Sequence, residues 1–345
     1  MKKFKSMNDS NMLLTITLIA FILMYVFAIV VMGSGFRKPQ AFFNILNTNA
    51  SLIILACGLS IVMITGGIDI SVGGVTGLIT MCCAVYLDKP DSLNPTPGNV
   101  FVSLLIAIAI GIAFGVVQGY LIAYLNIQPF IVTLAGMFFA RGLTTIIRSA
   151  PFNVANENFV KLKDTRITVP GMGSVNNKGI YVPAYVEIGA IVAILIVILL
   201  FLLLRYTKLG RSFYAVGGNL QSSLMLGINV KRVRFLAQLF SGILAGIGGF
   251  VYFLHCGSGA VTNAQAAEMD AIASSIIGGT MLTGGVGNII GTMFGVLSLS
   301  TIQNIVSSAG LDEAWWTGIT NAAMLCIFLV IQSVIMAQRK KKSAN

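Results

Sequence analysis

The chain has 345 residues, 56% of them hydrophobic and only 10% charged, with a mean hydropathy of +0.90. Soluble domains are roughly 25% charged, so this composition excludes an ordinary soluble enzyme and predicts an integral membrane protein. The net charge of +11 does not imply nucleic acid, because thirteen of the 22 Lys and Arg residues flank apolar runs, as cytoplasmic loops do.

The first predicted span, 12–32, follows Lys2, Lys3 and Lys5. Its apolar run exceeds the ~7–15 residues of a signal peptide core and lacks a small-x-small cleavage site, so a retained span is expected. Further spans are predicted near 49–64, 70–87, 100–124, 129–147 and 184–205. A basic loop follows, with Arg205, Lys208, Arg211, Lys231, Arg232 and Arg234, and then spans near 235–254, 270–283, 288–307 and 316–336. Arg339 to Lys342 close the chain. The fold class expected is an all-α integral membrane protein with about ten transmembrane helices, a single transmembrane domain over 1–345. With both termini and the loop cytoplasmic, the segments 88–99 and 148–183 face outward and Trp315 and Trp316 sit at an outer interface. Arg37 and Lys38 are the exception, lying outside.

Between the second and third spans lies TGGIDISVGGVTGLI, residues 65–79. Glycines at membrane depth are tolerated where protein or water satisfies the freed backbone, so Gly66 and Gly67 predict a break between helices. Asp69 has two readings. It caps the next helix through a backbone N–H, or it faces the pathway as a polar or proton site. TGGVGNIIGTMFGVL, 283–297, repeats Thr-Gly-Gly and aligns Gly291 with Gly73 and Gly295 with Gly77. The repeat reads either as an internal duplication or as convergence of glycine-rich helix contacts. Gly66, Gly67, Asp69, Gly284 and Gly285 are the predicted helix-break and gating positions.

In the basic loop, Gly217 and Gly218 predict a turn, Asn219 an N-cap, Leu220 to Leu226 two helical turns, and Gly227 a left-handed stop. A helix this short is marginal alone and must dock, either on its own chain or on a cytosolic partner. His255 predicts an interfacial polar side chain, Arg141 a snorkelling cation, and Glu268 and Asp270 the acidic start of the eighth span. Cys57, Cys82, Cys83, Cys256 and Cys326 lack metal or disulfide spacing and read as small packing residues. No metal site, catalytic residue or cofactor is expected. The strings GxxxxGK[ST], HExxH and GxSxG do not occur, so any ATP hydrolysis belongs to another chain.

GLSIVMITGGIDISVGG (58–74), IQPFIVTLAGMFFARGL (127–143), YAVGGNLQSSLMLGINVKRVR (214–234) and DAIASSIIGGTMLTGGVGNIIGT (270–292) resemble the ribose, xylose and galactose type of bacterial ABC importer permease. The resemblance runs over about residues 12–336. VTLAGMFFARG and Trp315-Trp316-Thr317 look closest to a galactofuranose-type importer subunit. The resemblance implies an inner-membrane permease that pairs with itself or a second permease, two cytosolic ATPase subunits and an extracytoplasmic sugar-binding protein. It also implies a coupling helix at Asn219 to Gly227, with Leu220, Leu224 and Met225 as its contact residues. The rival reading is an ion- or proton-coupled secondary transporter, with Asp69 as its main coupling candidate. A membrane enzyme has no catalytic constellation to support it.

Overall fold

The computed structural model describes residues 9–88, 98–175, 181–311 and 314–344. Lys2, Lys3, Lys5, residues 89–97 of the predicted outer segment and the side chains of Arg339 to Lys342 lie outside what is described. The chain opens with α1 (Asp9–Met32), the one-turn α2 (Ser34–Arg37), α3 (Pro39–Thr48) and α4 (Ala50–Ile64). After a joint come α5 (Ser71–Asp88), α6 (Val100–Ala123) and α7 (Pro129–Ile147). The next segment carries β1 (Phe152–Asn153), α8 (Glu157–Lys163), β2 (Arg166–Val175) and β3 (Tyr181–Glu187). Then follow α9 (Ile188–Tyr206), α10 (Lys208–Gly218), α11 (Leu220–Met225) and α12 (Val230–Cys256). The chain finishes with β4 (Ser258–Gly259), α13 (Ala267–Ile277), α14 (Ile289–Ser308) and α15 (Ala314–Ala344).

Among the described residues, α1, α5, α6, α7, α9, α12 and α14 are long and apolar enough to cross a membrane. A 55° bend joins α3 to α4, and that pair makes an eighth candidate span. Every residue of α4 except Leu52 is buried, so the helix forms the middle of the bundle, packed by α9, α12, α13 and α14. Its few polar side chains find partners there. Ser51 Oγ donates to the Gly248 carbonyl at 2.7 Å, and Ser60 Oγ lies 2.7 Å from Thr292 Oγ1. Lipid tails are as apolar as leucine, so close helix contact must come from small residues and hydrogen bonds rather than from hydrophobic burial. The pair α6 and α12 shows this. Gly111 and Gly115 of α6 meet Gly242 and Gly246 of α12 backbone to backbone; a Cβ at Gly111, Gly242 or Gly246 would collide and one at Gly115 would be tight. On the outside, α1, α6, α7 and α9 present Leu23, Val30, Phe101, Phe138 and Leu199, all exposed, a surface that only lipid or a partner chain satisfies.

The structure departs from the sequence expectations in three places. The fold is not wholly α, because β2 and β3 form an antiparallel hairpin and β1 pairs with β4. The segment 148–183 lies outside the apolar runs, and its β-branched stretches satisfy their backbone groups by pairing. The predicted 184–205 span consequently begins later, at Ile188, because residues 184–187 belong to β3. The predicted 270–283 span is the eleven-residue α13. At 1.5 Å per residue its length is about 17 Å, against a hydrocarbon core of about 30 Å. The helical path ends at Gly279, whose φ is +90°, while Gly278 lets α14 come close, since a Cβ there would overlap the Thr292 backbone.

Candidate functional site

Helix α4 ends at Ile64 and α5 starts at Ser71, so residues 65–70 form a joint, with Gly66 at φ +81°. Positive φ is inexpensive only for glycine. Asp69 within the joint is 2% exposed, and the chain itself occupies its carboxylate. Oδ1 accepts from the Ser71 amide at 3.0 Å and from Ser71 Oγ at 2.6 Å, while Oδ2 accepts from Ser241 Oγ at 2.7 Å. Ser71 Oγ also lies 3.1 Å from Gln118 Oε1, which accepts from Gln238 Nε2 at 2.9 Å. One carboxylate thus ties the joint to the start of α5 and to α12, and Gln118 of α6 adjoins this network through Ser71 and Gln238. The sequence reading named Asp69 but overlooked Gln118, Gln238 and Ser241. Their signal was available as polar side chains inside apolar helices, which must find partners.

The turn between α13 and α14 sits beside this joint. Gly284 and Gly285 have φ +83° and +77°, and the Gly285 amide donates to the Ile64 carbonyl at 2.8 Å. The third participant is the end of α10. Gly217 and Gly218 are the last residues of that helix rather than a turn. A Cβ at Gly217 would overlap the Ile64 carbonyl oxygen, and Tyr214 Oη donates to the Gly287 carbonyl at 3.0 Å. The Gly-Gly pairs at 66–67, 217–218 and 284–285, far apart in sequence, therefore meet at one end of the bundle.

From that junction the chain passes through a single residue into α11. Asn219 Oδ1 accepts the Ser222 amide at 2.9 Å, and Gly227 follows at φ +74°. Leu220 is 37% exposed, Leu224 56%, Met225 85% and Leu226 78%. Three large apolar side chains of this six-residue helix, and Leu226 at its C-cap, are thus exposed. The predicted basic loop is in fact two helices, α10 and α11, because α10 buries Phe213 and Val216 against the bundle.

At the opposite end, Arg141 does not snorkel. Its guanidinium donates to the carbonyls of Asn263 and Ala264 at 2.6 Å each, pinning a loop in which Ala264 and Ala266 hold positive φ. A nearby backbone offering carbonyls is a better partner than a distant interface. Glu268 and Asp270 lie in the first turn of α13. Glu268 rests over Gly73, whereas Asp270 Oδ1 accepts from Asn321 Nδ2 at 2.6 Å. His255 Nδ1 lies 3.0 Å from Glu187 Oε2, joining α12 to the end of β3. Cys57 and Cys83 are buried and Cys82 and Cys256 partly so, but Cys326 is exposed on α15 and is not packed within this chain.

Residues 41–329 match the permease family described as "Branched-chain amino acid transport system / permease component". The chain belongs to this family. Among curated relatives, this permease is 35% identical to the inner membrane ABC transporter permease protein YjfF of Escherichia coli, over 93% of this chain and 92% of the relative. It is 33% identical to the fructose import permease protein FruG of Bifidobacterium longum, over 95% and 93% of the two chains. It is 32% identical to the ribose import permease protein RbsC of Bacillus subtilis, over 91% and 89%. No solved structure matches the chain. The family decides for a multi-pass membrane subunit of an ABC importer, with ATP hydrolysis on a separate subunit, and against the ion-driven carrier.

Proposed function

We propose that this permease carries a monosaccharide inward, forming the translocation pathway with a second permease, identical or related. Full-length relatives named for fructose and ribose import support a sugar. Their names give the cargo of individual proteins aligned along this chain, whereas the amino-acid wording describes a whole family. Galactofuranose is the narrower candidate, resting on the strings quoted above. In this reading ten spans cross the inner membrane: the eight candidates above, α13 with its following turn, and α15. Both termini and α11 are cytoplasmic, and the β2–β3 hairpin faces an extracytoplasmic sugar-binding protein. Asp69 holds backbone and neighbouring helices together, since its oxygens are already occupied.

The observation that carries the proposal is the exposed apolar face of α11. A helix this short gains stability from what it docks on, and Leu224, Met225 and Leu226 are each left more than half exposed by their own chain. They are the contact for the cytosolic ATPase. Leu224→Asp and Met225→Asp are exposed changes and should leave the melting temperature of the purified permease unchanged, while the ATPase subunits no longer copurify. Undiminished recovery of ATPase with both variants would overturn the docking role.

A further inference from the structure

We infer that Gly217 and Tyr214, at the end of α10, are the positioning residues that pass displacement of α11 into both glycine joints of the bundle. The inference rests on the docking role of α11 proposed above. Only Asn219 separates α10 from α11, so the two helices share any movement at their junction. Helix α10 does not float, because Phe213 and Val216 are buried. Its last turn is pressed on backbone. The α-carbon of Gly217 sits where the Ile64 carbonyl accepts the Gly285 amide, and a methyl group there would overlap that carbonyl and lie 2.6 Å from the Gly285 nitrogen. One turn earlier, Tyr214 Oη holds the Gly287 carbonyl, two residues before α14 begins.

The consequence follows from what is in contact. Side chains absorb small displacements by changing rotamer, whereas packed backbones transmit them. Ile64 closes α4 and leads into the joint that Asp69 ties to α5 and α12; Gly285 and Gly287 lead into α14. Gly66, Gly284 and Gly285 hold positive φ on either side of the contact, and such residues can absorb the dihedral changes of a hinge. A shift of α10 therefore loads two hinges together.

Gly218 supplies an internal control. It neighbours Gly217 on the same helix, yet a Cβ there would have its nearest neighbour, the Gly285 α-carbon, at 4.0 Å. The experiment uses the full complex in proteoliposomes. The five native cysteines are replaced and Leu282→Cys, an exposed position in the 281–288 turn, serves as a reporter for a water-soluble maleimide. Trapping with ATP and vanadate should change its labelling rate by about fivefold or more, the low end of allosteric coupling. The change should persist with Gly218→Ala, vanish with Gly217→Ala and shrink with Tyr214→Phe, while ATPase still copurifies. A wild-type response from Gly217→Ala, or no response in the parent complex, overturns the inference. If Gly217→Ala does not assemble, Tyr214→Phe decides, and a wild-type response from it overturns the inference as well. Failure of the docking role is distinguishable, because ATPase would then remain bound to Met225→Asp.

Discussion

Past their shared Thr-Gly-Gly, the segments 65–79 and 283–297 place glycines at the same spacing, but those glycines meet different partners. On α5, Gly73 faces the carboxylate of Glu268 and Gly77 the guanidinium of Arg141, although the Asn263 carbonyl is also near Gly77. On α14, Gly291 and Gly295 face the carbonyls of Gly278 and Ser274, the backbone of α13. The capping differs too. Asp69 reaches forward two residues to the Ser71 amide, whereas the aligned position 287 is glycine and Asn288 caps α14 by accepting the Ile290 amide at 2.9 Å. The same spacing therefore marks close approach in both segments without saying what approaches. One segment makes room for charged side chains; the other seats a helix.

The difference can be broken most forcefully at Gly295. A methyl there collides with backbone that cannot rotate away, so Gly295→Ala should cost about 3 kcal/mol of stability. Gly73→Ala overlaps only the carboxylate end of the Glu268 side chain, with the Glu268 nitrogen at 3.0 Å, and should cost about 1 kcal/mol. Thermal unfolding in detergent checks the ranking, and equal losses would erase the distinction between the two segments. Next in size is Asp69. Removing its carboxylate strands the Ser71 amide and the Ser241 hydroxyl, so Asp69→Ala should lose about 2 kcal/mol. Asp69→Asn keeps an N-cap oxygen and should recover much of the stability and the transport. Transport lost in Asp69→Asn with stability intact would instead give the charge a role in the pathway. Asn288→Ala should cost no more than Gly73→Ala, about 1 kcal/mol for a lost N-cap, again read from the melting temperature. A loss as large as that of Asp69→Ala would show that the single cap on α14 ties as much structure as the Asp69 network.

Much of the helical layout was legible in the residues. Apolar runs long enough for a bilayer became α5, α6, α7 and α14 within a residue or two at each end. The cap at Asn219 and the left-handed stop at Gly227 were legible as well, because capping depends on a few neighbouring residues and on the φ that glycine allows. Where the reading failed, the deciding partner was remote. Arg141 was expected to seek an interface and instead holds the carbonyls of residues 263 and 264. Gly217 was expected in a turn and instead ends a helix against Ile64. The hairpin at 166–187 escaped notice because its pairing depends on register between strands rather than on hydropathy.

The sequence by itself determined that this chain lives in a membrane, where its long helices lie and which short helix it displays, because those follow from hydropathy, charge placement and local capping. The tertiary structure decided what each glycine and each buried polar group is for. Close approach and hydrogen bonding are relations between segments, and no single segment encodes the partner that Ile64, Gly217 and Gly285 find in one another.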